Sequence, residues 1–180
     1  MNKDLKIFLI SGKARHGKDT FAQILYDDLK LGGNRVLLCH YADLVKYIAK
    51  TFFSWNGEKD EEGRTILQYI GTDIVREKRP NYWVEFILEI LELFGENWDY
   101  VIIPDTRFPN EIDLVKSAYD DVDFIKIVRH DFDNGLTEEQ KNHPSETALD
   151  DIEADYTFYN DGTLDDLIAK VVDWKYDKNA

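Results

Sequence analysis

Apolar residues recur along the chain in two rhythms. Short runs at Leu5–Ile10, Arg35–His40, Tyr100–Pro104, Asp123–Val128 and Asp155–Tyr159 read as strands. The first is apolar enough to be buried on both faces, as parallel strands are. Between them lie segments whose apolar positions repeat every three to four residues. In Lys18–Leu31 the stripe is Phe21, Ile24, Leu25 and Leu29, and Gly32-Gly33-Asn34 ends the helix. Further helices are predicted from Tyr41 to about Thr51, over Thr65–Lys78, Tyr82–Phe94 and Glu111–Ala118, and over Leu164–Trp174. Pro80-Asn81 separates two of them, and Asn160-Asp161-Gly162-Thr163 turns the chain before the last. Two polar stretches remain. Phe52–Gly63, with the acidic run Glu58–Glu62, reads as a solvated connection, and His130–Asp150 as a flexible lid. Tyr176–Ala180 is expected to fray. Strands alternating with helices define an α/β domain, with a right-handed βαβ unit in residues 5–40.

The chain is organised around Ile7–Thr20, an apolar run followed by Gly12-Lys13-Ala14-Arg15-His16-Gly17-Lys18-Asp19-Thr20 and then by the first helix. Gly12, Gly17 and Lys18 have the spacing of a phosphate-binding P-loop in its required strand–loop–helix setting. Glycines let the loop curl until its N–H groups point inward at phosphate oxygens. The helix start adds its dipole and its unsatisfied donors, and Lys18 a mobile cation for the β- and γ-phosphates. Asp19 stands where Ser or Thr usually offers magnesium a hydroxyl, with Thr20 one place later; two readings follow, a hydrated magnesium on the Asp19 carboxylate or a phosphate contact from Thr20 instead. Asp105, directly after the third strand, has the Walker-B arrangement that orients magnesium through water. Asp43 follows the carboxyl end of the second strand, where open α/β sheets place ligands. Trp83, at the start of its helix, is also expected near a ligand.

Composition narrows the reading. A chain of 180 residues with 43% hydrophobic and 13% aromatic content is most simply one domain with a substantial core. A formal net charge of −14 argues against long nucleic acid as a partner, but leaves room for a small phosphorylated ligand in a locally positive cleft. With only seven arginines, their positions carry information. The single cysteine, Cys39, excludes an internal disulfide and reads as a small core residue in a reducing cytoplasm. His143 has no Cys or His neighbour at ligand spacing. No run reaches the length of a membrane span, and no secretory signal is expected at the start.

Several stretches in order, GKARHGKDT, YADLVK, LQYIGTDIVR, DTRFPNE, HPSETAL and NDGTLDDL, cover the chain from about Ile7 to Leu167. Together they resemble the phage- and bacterial-type deoxynucleoside monophosphate kinases. The resemblance implies a three-layer P-loop fold of the NMP-kinase type. Its five-stranded parallel sheet would carry helices on both faces, an acceptor-binding helical region over about residues 43–98 and a lid over about 130–150. It also implies transfer of the ATP γ-phosphoryl group to a deoxynucleoside 5′-monophosphate, with Mg2+ as cofactor. On that reading Lys18, Asp105 and Arg107 carry the chemistry. ATP would meet residues 12–20, Arg129, and Asn160, Gly162 and Thr163 beside the adenine. The acceptor would meet Asp43, Lys46, Gln68, Thr72, Arg76, Trp83 and Arg107, with Ser145 and Glu146 approaching from the lid.

Small-molecule nucleotides are therefore the expected partners, without a membrane, and homodimerisation is left open. Two rivals remain at this stage. One is a kinase for another phosphorylated acceptor, of the phosphomevalonate or dephospho-coenzyme A type. The other is a nucleotide-binding regulator or slow ATPase that transfers phosphate only to water, against which the presence of both Arg76 and Arg107 counts.

Overall fold

The computed structural model describes residues 5–58 and 60–178. Five strands, β1 (Lys6–Ser11), β2 (Val36–Leu38), β3 (Tyr100–Ile103), β4 (Val122–Val128) and β5 (Tyr156–Tyr159), form one sheet. The order is β2–β3–β1–β4–β5 and every pairing is parallel. The helices are α1 (Lys18–Leu31), α2 (Ala42–Phe52), α3 (Glu61–Gln68), α4 (Val75–Lys78), α5 (Tyr82–Phe94), α6 (Pro109–Ala118), α7 (Glu138–Lys141), α8 (Pro144–Thr147) and α9 (Leu164–Lys178).

The strand period of two sorts the core into two layers. Ile7 and Leu9 of β1 face one side with Val101, Ile103 and Phe124, against Val45 and Ala49 of α2, Val84, Ile87 and Leu91 of α5, and Val115 of α6. Phe8 and Ile10 face the other with Ile102, Ile125 and Ile127, against Phe21, Leu25 and Leu29 of α1 and Leu167 and Val171 of α9. The sheet thus lies between two helical layers, which is why its central strands are apolar on both faces. Leu25 is fully buried, so its truncation to alanine would cost about 3 kcal/mol. β5 is the exception: an edge strand whose residues alternate between half-buried and exposed.

This is the expected fold, and the departures are local. The helix predicted over Thr65–Lys78 starts earlier, because Asp60 caps it by accepting the Gly63 N–H at 2.8 Å. Part of the stretch read as a solvated connection is therefore helix. The same segment widens into a π-helical turn over Tyr69–Ile74 before resuming as α4. α6 begins at Pro109, whose missing N–H costs nothing in the first turn. The lid stretch holds the one-turn helices α7 and α8, and His143 caps α8 by accepting the Ser145 N–H at 3.2 Å. α9 continues past the expected fraying point to Lys178; Asn179 and Ala180 lie outside the described residues.

With β1 central, its carboxyl end and those of β3 and β4 open onto one crevice, the position where parallel α/β sheets bind ligands. Among the described residues no helix is long and apolar enough to cross a membrane.

Candidate active site

The loop between β1 and α1 is built to leave space for an anion. Gly12 has φ +153°, and a Cβ there would come within 2.4 Å of the Ile127 carbonyl of β4. Gly17, at φ +97°, would meet the Asn160 amide at the same 2.4 Å. Another residue at Gly12 would have to move the end of β4, and one at Gly17 would have to displace the Asn160 side chain and hold a left-handed φ that L residues rarely adopt. Asn160 donates to the His16 carbonyl at 3.0 Å, and the Arg129 N–H donates to His16 Nδ1 at 3.1 Å, so the ends of β4 and β5 brace the loop. Lys18 is buried at 7% exposure and donates to the Lys13 carbonyl at 2.9 Å. Burial, with the Arg107 charge nearby, brings its ammonium down to about 8.

The lid reaches across the loop's mouth. Glu146 accepts the Ala14 N–H at 2.9 Å through one carboxylate oxygen and Arg107 Nη1 at 2.5 Å through the other. Arg107 Nη1 also donates to the Ser145 carbonyl at 2.9 Å, and Lys13 pairs with Asp150 at 2.7 Å. A carboxylate held by a P-loop amide and an arginine occupies the kind of place a phosphate oxygen takes.

Beside it opens a cleft of about 680 Å³, running from Ala14, Arg15, Lys18 and Asp19 to Gln68, Thr72, Arg76 and Trp83. Asp105, at the end of β3, turns its two carboxylate oxygens to the Tyr41 and Ala42 N–H groups at 3.0 and 2.9 Å, capping α2. Asp43 in the first turn of α2 holds Lys46 at 2.8 Å. Burial alone would raise Asp43, but Lys46 and His40 outweigh it and hold its carboxyl below the usual range. His40 lies between Asp19 at 3.5 Å and Asp43 at 3.4 Å. The hydrogen bond to Asp19 raises it above the ordinary histidine value, against the pull of burial. Trp83 is buried and donates to the Gly71 carbonyl at 2.9 Å, tying α5 to the π-helical turn that brings Gln68, Gly71 and Thr72 to the cleft.

At the start of α6 one side chain serves three partners. Glu111, fully buried, accepts the Arg107 N–H at 2.7 Å and the Phe108 N–H at 3.1 Å, and its other oxygen pairs with Arg76. The Arg76 guanidinium lies 4.0 Å from the centre of the Phe108 ring. Burial pushes the Glu111 carboxyl up, against the pull of Arg76.

A family model for deoxynucleotide monophosphate kinases matches residues 39–171, which hold α2 to α8, the loop after β3 and the first half of α9. The chain belongs to the deoxynucleotide monophosphate kinase family. The deoxynucleotide monophosphate kinase of Enterobacteria phage T4 is 34% identical over 110 residues, covering 60% of this chain and 43% of the phage protein. That of Escherichia phage RB69 is 32% identical over 110 residues, covering 60% and 42%. The match thus spans less than half the length of these phage relatives. A related protein of Acanthamoeba polyphaga mimivirus is 28% identical, with 92% of this chain and 93% of the relative covered. Among solved structures, the dephospho-CoA kinase from Campylobacter jejuni superposes with a TM-score of 0.56 at 16% identity over 97% of each chain. A sugar kinase from Janibacter sp. HTCC2649 gives 0.53 at 16% identity, covering 94% of each. These two share the fold.

Within this deoxynucleotide monophosphate kinase family chain the sequence-derived residues do not all meet at one point. Lys18, Asp19, Asp105 and Arg107, and Lys46, Gln68, Thr72, Arg76, Trp83, Ser145 and Glu146, which the sequence reading expects at the acceptor, border the large cleft, and Asp43 does not. Arg129, with its guanidinium 4.0 Å over the Phe132 ring, borders a second cavity of about 520 Å³ together with Lys13 and His16. Thr20 is exposed on the first turn of α1. Gly162 and Thr163 are exposed, and Thr163 is engaged in capping α9, its N–H donating to Asp166 at 2.8 Å while its hydroxyl accepts the Asp166 N–H at 3.2 Å. Among the described residues of that turn, Asn160 hydrogen-bonds to the P-loop. Glu146 sits on the Ala14 amide and borders both the large cleft and the second cavity.

Sequence reasoning passed over Glu111, His40 and Arg64. Glu111 was visible only as the last letter of DTRFPNE, where it reads as an ordinary first-turn glutamate. Arg64 borders the cleft from α3, a helix placed too late in the chain to point there. Cys39 is inert, its thiol pushed up to about 12 by burial. No cluster of three or more His, Cys, Asp or Glu side chains at metal-binding distance occurs among the described residues.

Proposed function

We propose that the chain transfers the γ-phosphoryl group of ATP to the 5′-phosphate of a deoxynucleoside monophosphate, giving ADP and the deoxynucleoside diphosphate. The observation that carries this reading is the meeting of two cationic sets in one cleft, Lys18 from the P-loop and Arg76 with Arg107 from the acceptor side. An oxygen of the acceptor phosphate attacks the γ-phosphorus in line. The bond from that phosphorus to the β–γ bridging oxygen breaks, and ADP leaves with the electron pair. The acceptor phosphate is already a nucleophile, so the protein needs no general base; it positions and neutralises. Lys18 and the inward N–H groups between Gly12 and Gly17 hold the donor's phosphates. Arg107, beside the P-loop and bonded to the lid, spans the junction of donor and acceptor. Arg76 offers its guanidinium fork to the acceptor phosphate.

The carboxylates of Asp19 and Asp105, both bordering the cleft beside Lys18, fit a divalent cation carried by a nucleotide. Asp19 and Asp105 would hold magnesium there, and it would supply neutralisation of the charge on the β- and γ-phosphates. Gln68, Thr72 and Lys46 are the groups offered to the acceptor's sugar and base, with Trp83 as the wall behind them; Asp43 does not border the cleft and acts on it through its ion pair with Lys46.

Coupled ADP release with Mg-ATP against deoxynucleoside and nucleoside monophosphates, phosphomevalonate and dephospho-coenzyme A tests the proposal, with Lys18→Ala as the blank. Turnover with at least one deoxynucleoside monophosphate, lost in the blank, is the expected result. Turnover with a non-nucleotide acceptor alone would overturn it, as would acceptor-independent ATP binding with no turnover.

A further inference from the structure

We propose that Glu111 is a positioning residue for phosphoryl transfer, whose buried carboxylate locks Arg76 and Arg107 into one acceptor-phosphate clamp. The inference rests on the reading of the cleft as an acceptor site. It concerns a residue that touches neither substrate.

Glutamate in the first turn of a helix is usually a cap, exposed and worth little more than the helix end it satisfies. Glu111 does that work, accepting the Phe108 N–H at 3.1 Å, yet two features go beyond it. Its side chain is fully buried, which a simple cap does not require and which is costly for a carboxylate without a partner. Its second oxygen also takes Arg76 from α4, which is separated from α6 by the whole of α5 and β3.

The consequence is geometric. One carboxylate fixes the backbone of Arg107 at 2.7 Å and the guanidinium of Arg76, so the two arginines on either side of the cleft share a single reference point. Arg76 is pinned further by the Phe108 ring, whose own N–H the same carboxylate holds. A guanidinium has five N–H donors. Glu111 takes Arg76 Nη2, and the remaining described partner is the Pro80 carbonyl at a long 3.5 Å. Donors of the fork are therefore left for a ligand in the cleft that Arg76 borders. The arrangement spends conformational entropy before the acceptor arrives, so less is lost on binding.

Glu111→Gln separates positioning from capping. The amide oxygen keeps the shape and still accepts the Arg107 and Phe108 N–H groups, while the charge that holds Arg76 is gone. The expected result is an acceptor KM raised about tenfold or more, with kcat lowered and the KM for ATP within about twofold of wild type. Arg76→Gln should reproduce the acceptor defect, and the double variant should be no worse than the poorer single one, because Glu111 acts through Arg76. An unchanged acceptor KM in Glu111→Gln would overturn the inference, as would defects that add in the double variant. So would parallel losses of ATP and acceptor affinity in both single variants, the mark of a purely structural role. A wild-type protein silent with every deoxynucleoside monophosphate removes the functional reading itself, and the clamp with it; a wild type that turns over beside an unaffected Glu111→Gln removes the clamp alone.

Discussion

Lys18 holds a proton that burial, together with the neighbouring Arg107, has loosened, with a pKa brought down to about 8. Nucleotide phosphates favour the ammonium, so the pKa of the bound state lies above that of the free state. Well below 8 both states carry the proton and affinity is flat. Above 8 the free site must take up a proton to bind, and affinity falls by up to about tenfold per pH unit until the bound-state pKa is passed. Calorimetric titration with ATP in EDTA, where no divalent cation competes, should show proton uptake that grows between about pH 8 and pH 9, well above the second ionisation of the terminal phosphate at about 6. A pH-independent affinity across that range would contradict the role given to Lys18. Arg107 is the complementary test. Arg107→Ala should leave ATP binding within a few-fold of wild type while kcat with the acceptor drops by about a hundredfold or more, as loss of a transition-state donor does. Steady-state kinetics with an unchanged kcat would take Arg107 out of the site. Neither residue needed the structure to be found. Gly12, Gly17 and Lys18 are fixed by short-range spacing, and Arg107 sits two residues beyond a strand-end aspartate. Glu111 needed it, because its partner Arg76 is 35 residues away and nothing local marks the carboxylate as buried.

Among the elements, the lid and the π-helical turn carry what the sequence could not express. His130–Asp150 reads as polar and mobile, yet Glu146 bridges 132 residues to reach the Ala14 amide. On the proposed function, ATP displaces that carboxylate, and Glu146 competes with it for the Ala14 amide. Glu146→Gln, which carries no charge, should therefore bind ATP several-fold more tightly in equilibrium titration. Weaker binding would mean that Glu146 contacts the nucleotide favourably instead. The π-helical turn was hidden because LQYIGTDIVR has an unbroken helical apolar pattern, and the widening shows only in the backbone of Tyr69–Ile74. Trp83→Phe removes the hydrogen bond to the Gly71 carbonyl at a cost of about 1 kcal/mol, read as a thermal shift of a few degrees. The same variant should raise the acceptor KM more than the ATP KM, since the turn presents Gln68 and Thr72; equal changes in both would detach the turn from the acceptor. The central strands were legible because parallel strands buried on both faces announce themselves as apolar runs; β5, half-exposed at the sheet edge, was legible from its Tyr-Thr-Phe-Tyr composition. The cap on α3 was not, since Asp60 lies inside an acidic run that resembles solvated linker.

For the molecule as a whole, a net charge of −14 and a phosphate-binding cleft are reconciled by placement. Of the seven arginines, Arg15, Arg64, Arg76 and Arg107 border the large cleft and Arg129 the cavity beside it, so the local field opposes the global one. The fold supplies the geometry: β1 at the centre puts the P-loop between the end of β3, with Asp105 and Arg107, and the end of β4, with Arg129. Kinases for quite different acceptors share that framework, so the acceptor is decided by side chains in the cleft and not by the sheet. The most direct measurement follows the transferred group itself. ATP labelled on the γ-phosphate is incubated with the protein, magnesium and each deoxynucleoside monophosphate, and the products are separated. The account predicts label in the deoxynucleoside diphosphate, absent with Lys18→Ala and sharply reduced with Arg107→Ala. Label appearing only as inorganic phosphate, at the same rate with and without the monophosphate, would contradict it.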